Sequence, residues 1–305
     1  MNILFFTLFV SAVATPLFEG DLKVTYTQVA DAYGVEYAKK TFDGSTDIMN
    51  ANPTRKWPNG DVPYHVDMAF YDTTSEQLID DVMDSMTEKL GPFIKFRRNV
   101  TSDVNHIVFK ADKVVGGCWS YLGMIGGPQT INFGCLTGNM VNSMTIEHEV
   151  LHALGFWHEQ SRSDRDDYIK IFLENVMDGY EAQFEKRQGE TSGTEYDYKS
   201  VMHYANTAFS KNGLNVMEST NPEGVVLGNW VKMTQTDIIE AKRFYGDDTT
   251  MAPTNGPTPK PTSMPSIKPT MSPTTYCERF NKRHRKCKNH RKRCFWKNGK
   301  CLSVG

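Results

Sequence analysis

The chain has 305 residues, 39% hydrophobic and 23% charged, which is room for one domain of roughly 200 residues plus appendages. Its formal net charge of -2 conceals two opposite regions: residues 276–305 carry eleven Lys and Arg against the single acid Glu278, whereas residues 57–250 carry 16 basic against 29 acidic residues. No stretch is long and apolar enough to cross a bilayer, which excludes a protein built on membrane-spanning helices.

Residues 3–14, ILFFTLFVSAVA, form an apolar run that closes on Ala12-Val13-Ala14. The pattern predicts a secretory signal over residues 1–14, cleaved near Ala14, even though no positive charge precedes the run. Residues 15–56 have mixed charge and little periodicity, and are expected to be a propeptide ending between Asn50 and Lys56. From WPNGDVPYHV onward the pattern is that of a packed domain, assigned to residues 57–250. A strand is predicted over Val62 to Val66, then an amphipathic helix opened by Thr74 and Ser75. Along it Leu78, Ile79, Val82, Met83, Met86 and Leu90 recur at helical spacing, the methionines as core filler. Asn99-Val100-Thr101 is a glycan acceptor in a secreted chain.

Further strands are predicted near Ile94 to Arg97, Ile107 to Lys110 and Thr130 to Phe133. Between the last two lies GGCWSYLGMIGG, a glycine-rich loop that lacks the GK[ST] ending of a phosphate loop and opens no helix. A disulfide between Cys118 and Cys135 would pin it, with about 3 kcal/mol expected for a closure of this size. An exposed edge strand beside a metal-binding helix is a natural place for an extended peptide to add as another strand.

Residues 145–166, TIEHEVLHALGFWHEQSRSDRD, interleave three histidines and a glutamate with aliphatic residues. A helix puts His148 and His152 one turn apart on one face with Glu149 beside them, while Val150, Leu151 and Leu154 fall on other sides. Gly155 ends the helix, because glycine reaches the left-handed conformation at no steric cost, and the chain then reverses to bring back His158. Three neutral imidazoles at about 2.0–2.1 Å from a Zn²⁺ ion, with a fourth position open, make the layout of a catalytic rather than a structural site. A bare HExxH is common by chance; the extended HExxHxxGxxH in a chain with 8 histidines is far more specific.

A last helix is predicted from Thr234 or Thr236 through Ile238, Ile239 and Ala241 to Phe244 and Tyr245, stopped by Gly246. Seven prolines alternate with Thr and Ser over residues 251–275, the composition of a stiff, extended linker. The basic tail, residues 276–305, contains Cys277, Cys287, Cys294 and Cys301. It is too short to bury a sufficient core, so a small module stapled by two disulfides is expected, in one of three pairings. The six cysteines fall in even groups without CxxC spacing, as in an oxidising compartment. The tail's charge suits an extracellular polyanion. Nucleic acid is not expected as a partner, given secretion and the single aromatic pair Phe295-Trp296.

HEVLHALGFWHEQSRSDRD resembles the signature of the astacin-type zinc endopeptidases of the metzincin group, through its third histidine and the trailing Glu-x-x-Arg-x-Asp-Arg-Asp. SVMHY, residues 200–204, resembles their Met-turn, and WPNGDVPY and CWSYLGMIGGPQTINFGC are similar to further astacin segments. The resemblance runs from Trp57 to Gly246 and implies an α+β, two-subdomain protease with a mixed sheet, a zinc helix and a Met-turn. It implies one Zn²⁺ per chain on His148, His152 and His158, with Glu149 as general base and Met202 as hydrophobic floor. Tyr204 would then be a further ligand that swings away to stabilise the oxyanion, and Glu159 the contact of the newly freed amino terminus. His203, His65 and His106 are read as structural. FEGD, residues 18–21, is similar to the propeptide motif whose aspartate holds the zinc in the zymogen, making Asp21 the latency switch. The family's usual second disulfide is missing, since no cysteine lies in 57–117 or 136–276. Protein or peptide substrates and a monomer are the corresponding expectations. The rival reading is an inactive scaffold of this fold that binds matrix or polyanion through its tail.

Overall fold

A computed structural model describes residues 21–24, 28–30, 56–136, 141–188, 193–220, 224–228, 231–246, 294–297 and 300–303. The stretches read from the sequence as signal, most of the propeptide and linker, and tail residues 276–293, lie outside these. The chain divides into two units, Met1–Met251 and Ala252–Gly305.

In the first unit, a mixed six-stranded sheet is flanked by helices in an α+β arrangement. In chain order its strands are β1 (Leu22–Lys23), β2 (Asp61–Val66), β3 (Lys95–Arg98), β4 (His106–Lys110), β5 (Cys118–Tyr121) and β6 (Pro128–Phe133). In space they run β1-β5-β6-β4-β2-β3. All neighbours pair in parallel except β5 with β6. Helix α1 (Thr73–Leu90) packs against β3 and against α2 (Ser143–Leu154), which also packs against β5. Between sheet and helices lies a core that includes Trp57, Ile79, Met83, Met86, Ile107, Phe109, Ile131, Val150 and Leu154.

Two local expectations are corrected. Helix α1 is capped by Asp72, whose carboxylate accepts from Ser75 N at 2.8 Å, so Thr74 and Ser75 lie in its first turn. The stretch read as a glycine-rich loop carries a strand, β5, at its centre. Antiparallel pairing of Cys118 with Phe133 and of Trp119 with Asn132 forms it, and a Cys118–Cys135 disulfide pins it.

The C-terminal half of this unit adds a short antiparallel pair, β7 (Ile169–Ile171) with β8 (Met217–Ser219), and helix α3 (Gln235–Tyr245). A second apolar cluster gathers Ile169, Val176, Phe184, Tyr196, Tyr204, Val216, Met217 and Leu227. Helix α3 begins at Thr234, where a capping box with Asp237 satisfies both backbone N–H groups. Gly246 ends it with extended rather than left-handed backbone. Glycine is needed there for space: a Cβ would meet Lys242 O at 2.8 Å and the Phe93 ring at 3.1 Å. Within the second unit, β9 (Cys294–Lys297) pairs antiparallel with β10 (Lys300–Ser303). No helix among the described residues is long and apolar enough to cross a membrane.

Candidate metal centre

Helix α2 positions the centre. Asn142 caps its start, accepting from Thr145 N at 2.9 Å, and Gly155 closes it at φ 111°. Ile146, Val150, Leu151, Ala153 and Leu154 are buried in the core, which turns His148 and His152 the other way. The chain reverses at Gly155 and delivers His158, itself fully buried. The three ring centroids lie 4.7 Å (His148–His152), 4.7 Å (His152–His158) and 5.3 Å (His148–His158) apart.

Two backbone carbonyls orient the rings. His148 Nδ1 donates to Val201 O at 2.8 Å and His152 Nδ1 donates to Phe156 O at 2.7 Å, so each carries its proton on Nδ1 and turns Nε2 inward. The inward nitrogens converge on Asp21, whose carboxylate oxygens lie 3.2 Å from His148 Nε2, 3.5 Å from His152 Nε2 and 3.2 Å from His158 Nε2. One donor atom from each of these four residues lies within 4.8 Å of the others. Asp21 arrives on the strand that precedes the domain: β1 adds in parallel to the edge of β5, with Ser120 N donating to Asp21 O at 3.0 Å and Leu122 N to Lys23 O at 3.2 Å.

The donor set fits a zinc ion. His152 Nε2 and Asp21 Oδ1 are buried with no hydrogen-bond partner, a cost that a cation between them would relieve. Burial pushes the His152 pKa down to about 4, against the pull of Asp21, so the ring is neutral at physiological pH. Burial would raise the Asp21 pKa, but the imidazoles around it, His158 first, hold it well below the usual carboxylate range. Three imidazoles, those of His148 and His152 with Nδ1–H fixed by a backbone carbonyl, joined by one carboxylate, are the ligand chemistry zinc prefers.

Glu149 is 1% exposed, and its Oε2 makes no hydrogen bond. Burial, and then the charge of Asp21, hold its pKa well above the ordinary value. Below the centre, residues 200–203 make a tight turn closed by His203 N donating to Ser200 O. Met202 is buried in the sheet-side core, and Tyr204, two residues on, belongs to the second cluster with its ring 4.5 Å from that of His158. Met202 O accepts from Glu159 N at 2.9 Å, which ties the turn to the residue after the third histidine. The Glu159 carboxylate accepts from Arg162 at 3.0 Å and from Asp197 N at 2.8 Å. His203 is buried; His65 and His106, on β2 and β4, stand apart from the centre.

Sequence reasoning missed the frame beneath these residues. Asp237 accepts from Ser200 Oγ at 2.5 Å and from Val201 N at 3.1 Å, clasping the turn whose Val201 carbonyl orients His148. Gln160 Oε1 accepts from Tyr204 N at 3.0 Å. The Thr-x-x-Asp spacing signals the helix cap at Asp237, but nothing in the sequence signals the clasp.

The comparisons agree with this geometry. The family model for Astacin (Peptidase family M12A) matches residues 49–246. Zinc metalloproteinase nas-15 of Caenorhabditis elegans is 33% identical over 250 residues, covering 78% of this chain and 42% of that protein. Zinc metalloproteinase nas-6 of the same animal is 35% identical over 208 residues, 66% of this chain and 58% of that protein. The chain thus spans about half the length of the curated relatives it matches. Among solved structures, high choriolytic enzyme 1, a hatching-enzyme zinc protease of the medaka Oryzias latipes, shares 32% identity and a TM-score of 0.56 over 64% of this chain and 98% of its own. With its signature helix, its turn at Met202 and its sheet accounted for by one family over the same span, the chain belongs to the astacins, peptidase family M12A.

Proposed function

We propose that this chain is a secreted, zinc-dependent endopeptidase made in latent form, with His148, His152 and His158 as ligands of one zinc ion. The observation that carries the reading is the convergence of three imidazoles and the Asp21 carboxylate on one point, with the buried Glu149 following the first ligand directly on the same helix. When bound, zinc supplies Lewis-acid activation of a water molecule and of the scissile carbonyl. Glu149 takes the proton of the attacking water and passes it to the leaving amine. Its burial raises its pKa above the ordinary carboxylate value, which makes it a stronger base than an exposed glutamate. The Tyr204 hydroxyl donates to the developing oxyanion, a contribution of several kcal/mol in enzymes generally. Met202 gives the centre an apolar floor, and the carbonyls of Val201 and Phe156 hold the imidazoles in register.

In the latent chain Asp21 occupies the place of water and substrate. Processing between Asn50 and Trp57 removes the strand and opens the edge of β5 to an extended substrate, while Glu159 receives the new amino terminus.

The test is zinc content by elemental analysis with casein cleavage in parallel. Protein trimmed to start between Asn50 and Trp57 is expected to hold one zinc and cleave. Its Glu149→Ala variant should hold the same zinc and cleave at least about 10³-fold more slowly. Untrimmed protein should cleave only when it carries Asp21→Ala. Zinc without proteolysis in every form would sink the protease reading in favour of an inactive scaffold, which no observation here favours. The basic tail is assigned to an extracellular polyanion. Retention on heparin resin should vanish on deletion of residues 276–305, and unchanged retention would exclude that role.

A further inference from the structure

The edge strand beside the centre carries a feature the hydrolysis does not use. Trp119 and Tyr121 stand two residues apart on one face of β5, their rings 5.8 Å apart at 89°. Lys23, in register with Tyr121, puts its Nζ 3.5 Å from the centroid of the Trp119 ring and 5.7 Å from that of Tyr121. No carboxylate among the described residues pairs with it, and the ring faces are its contacts. The aromatic faces hold the cation. Attraction of an ammonium to an indole face grows as water is excluded, and a neutral or acidic side chain in the same place gains none of it.

We propose that Trp119 and Tyr121 form a cation-accepting subsite, filled in the latent chain by Lys23 and in the processed enzyme by a lysine or arginine side chain of the substrate. The proposal rests on the reading of the chain as an endopeptidase whose substrate adds to β5. Lys23 follows Asp21 by two residues, one strand repeat of about 7 Å, so the subsite lies close to the cut. The same pair of rings serves latency and specificity: the pro-segment is held by the group that a preferred substrate would present.

The test uses the full chain with its tail, processed and zinc-loaded, and peptides identical except for Lys, Arg, norleucine or Glu at each position near the cut in turn. Lys and Arg are expected to be preferred over norleucine about tenfold at one position, with Glu poorer still. Trp119→Phe should lower that ratio at least about threefold, since a phenyl face attracts a cation less than an indole does. A ratio near one in wild type, or one unchanged in Trp119→Phe, overturns the proposal. If no peptide is cut, the endopeptidase reading itself has failed, and the unprocessed chain decides the aromatic site. There Lys23→Met should speed hydrogen exchange of the Ser120 and Leu122 amides about fivefold, but less than about twofold in the Trp119→Phe background. Exchange unaffected by Lys23→Met overturns it.

Discussion

His203 lies directly after Met202, and both of its ring nitrogens are committed. Nδ1 donates to Tyr204 O at 2.7 Å, and Nε2 accepts from the Tyr196 hydroxyl at 2.7 Å. Burial pushes its pKa down to about 4, overriding the Tyr204 hydrogen bond. The folded state therefore binds fewer protons than the unfolded chain between about pH 4 and the ordinary histidine value of 6.5. The stability this residue contributes is present above pH 6.5 and is lost as pH falls towards 4, at most about 3 kcal/mol. Thermal melts of wild type and His203→Gln should converge over that window, and a gap independent of pH would refute the assignment. At this scale the zinc helix was legible because its residues are near neighbours in sequence, where spacing alone fixes the face. Val201, Phe156 and Gln160 were not, because they act through a backbone carbonyl or a side-chain amide brought in by tertiary folding.

Among the elements, α2 depends on the residue that follows it. Gly155 at φ 111° turns the chain so that His158 returns to the first two histidines. An Ala at that position pays about 1–2 kcal/mol for the left-handed backbone, so Gly155→Ala should lower the melting temperature and weaken zinc retention together. A variant with lowered melting temperature and unaltered zinc affinity would show that the turn does not set the third ligand. Helix α1 was legible from apolar periodicity, though not its cap at Asp72, and α3 from periodicity and its Thr234 cap. Strand β5 was not, because its glycine flanks read as a loop; pairing with β6 and the Cys118–Cys135 closure override them. The pro-segment strand was hidden too. Two residues of strand carry no periodicity, and only the match of FEGD to a known motif marked Asp21.

Across the whole catalytic unit, no disulfide joins the early chain to its C-terminal end, yet that end is held. Tyr245 Oη donates to Leu154 O at 2.9 Å and accepts from Trp57 N at 3.3 Å, while Phe244 packs edge-on against Phe156 at 5.5 Å. One phenol thus joins the start of the domain, the end of the zinc helix and the last helix. Tyr245→Phe leaves Leu154 O and Trp57 N without this partner and should cost about 1–3 kcal/mol, read as faster thermal inactivation. An unchanged inactivation rate would mean that packing alone secures this end. The α+β architecture was legible from the family signature, but this clasp was not, since it joins residues 188 positions apart. The pairing of β1 with β5 has one more consequence. A sheet edge bare of a neighbour is a template on which other chains can assemble, and β1 covers that edge of β5. Under the proposed processing its removal would turn colloidal behaviour into a matter of concentration and of how much substrate is at hand, with self-association greatest when there is nothing to cut.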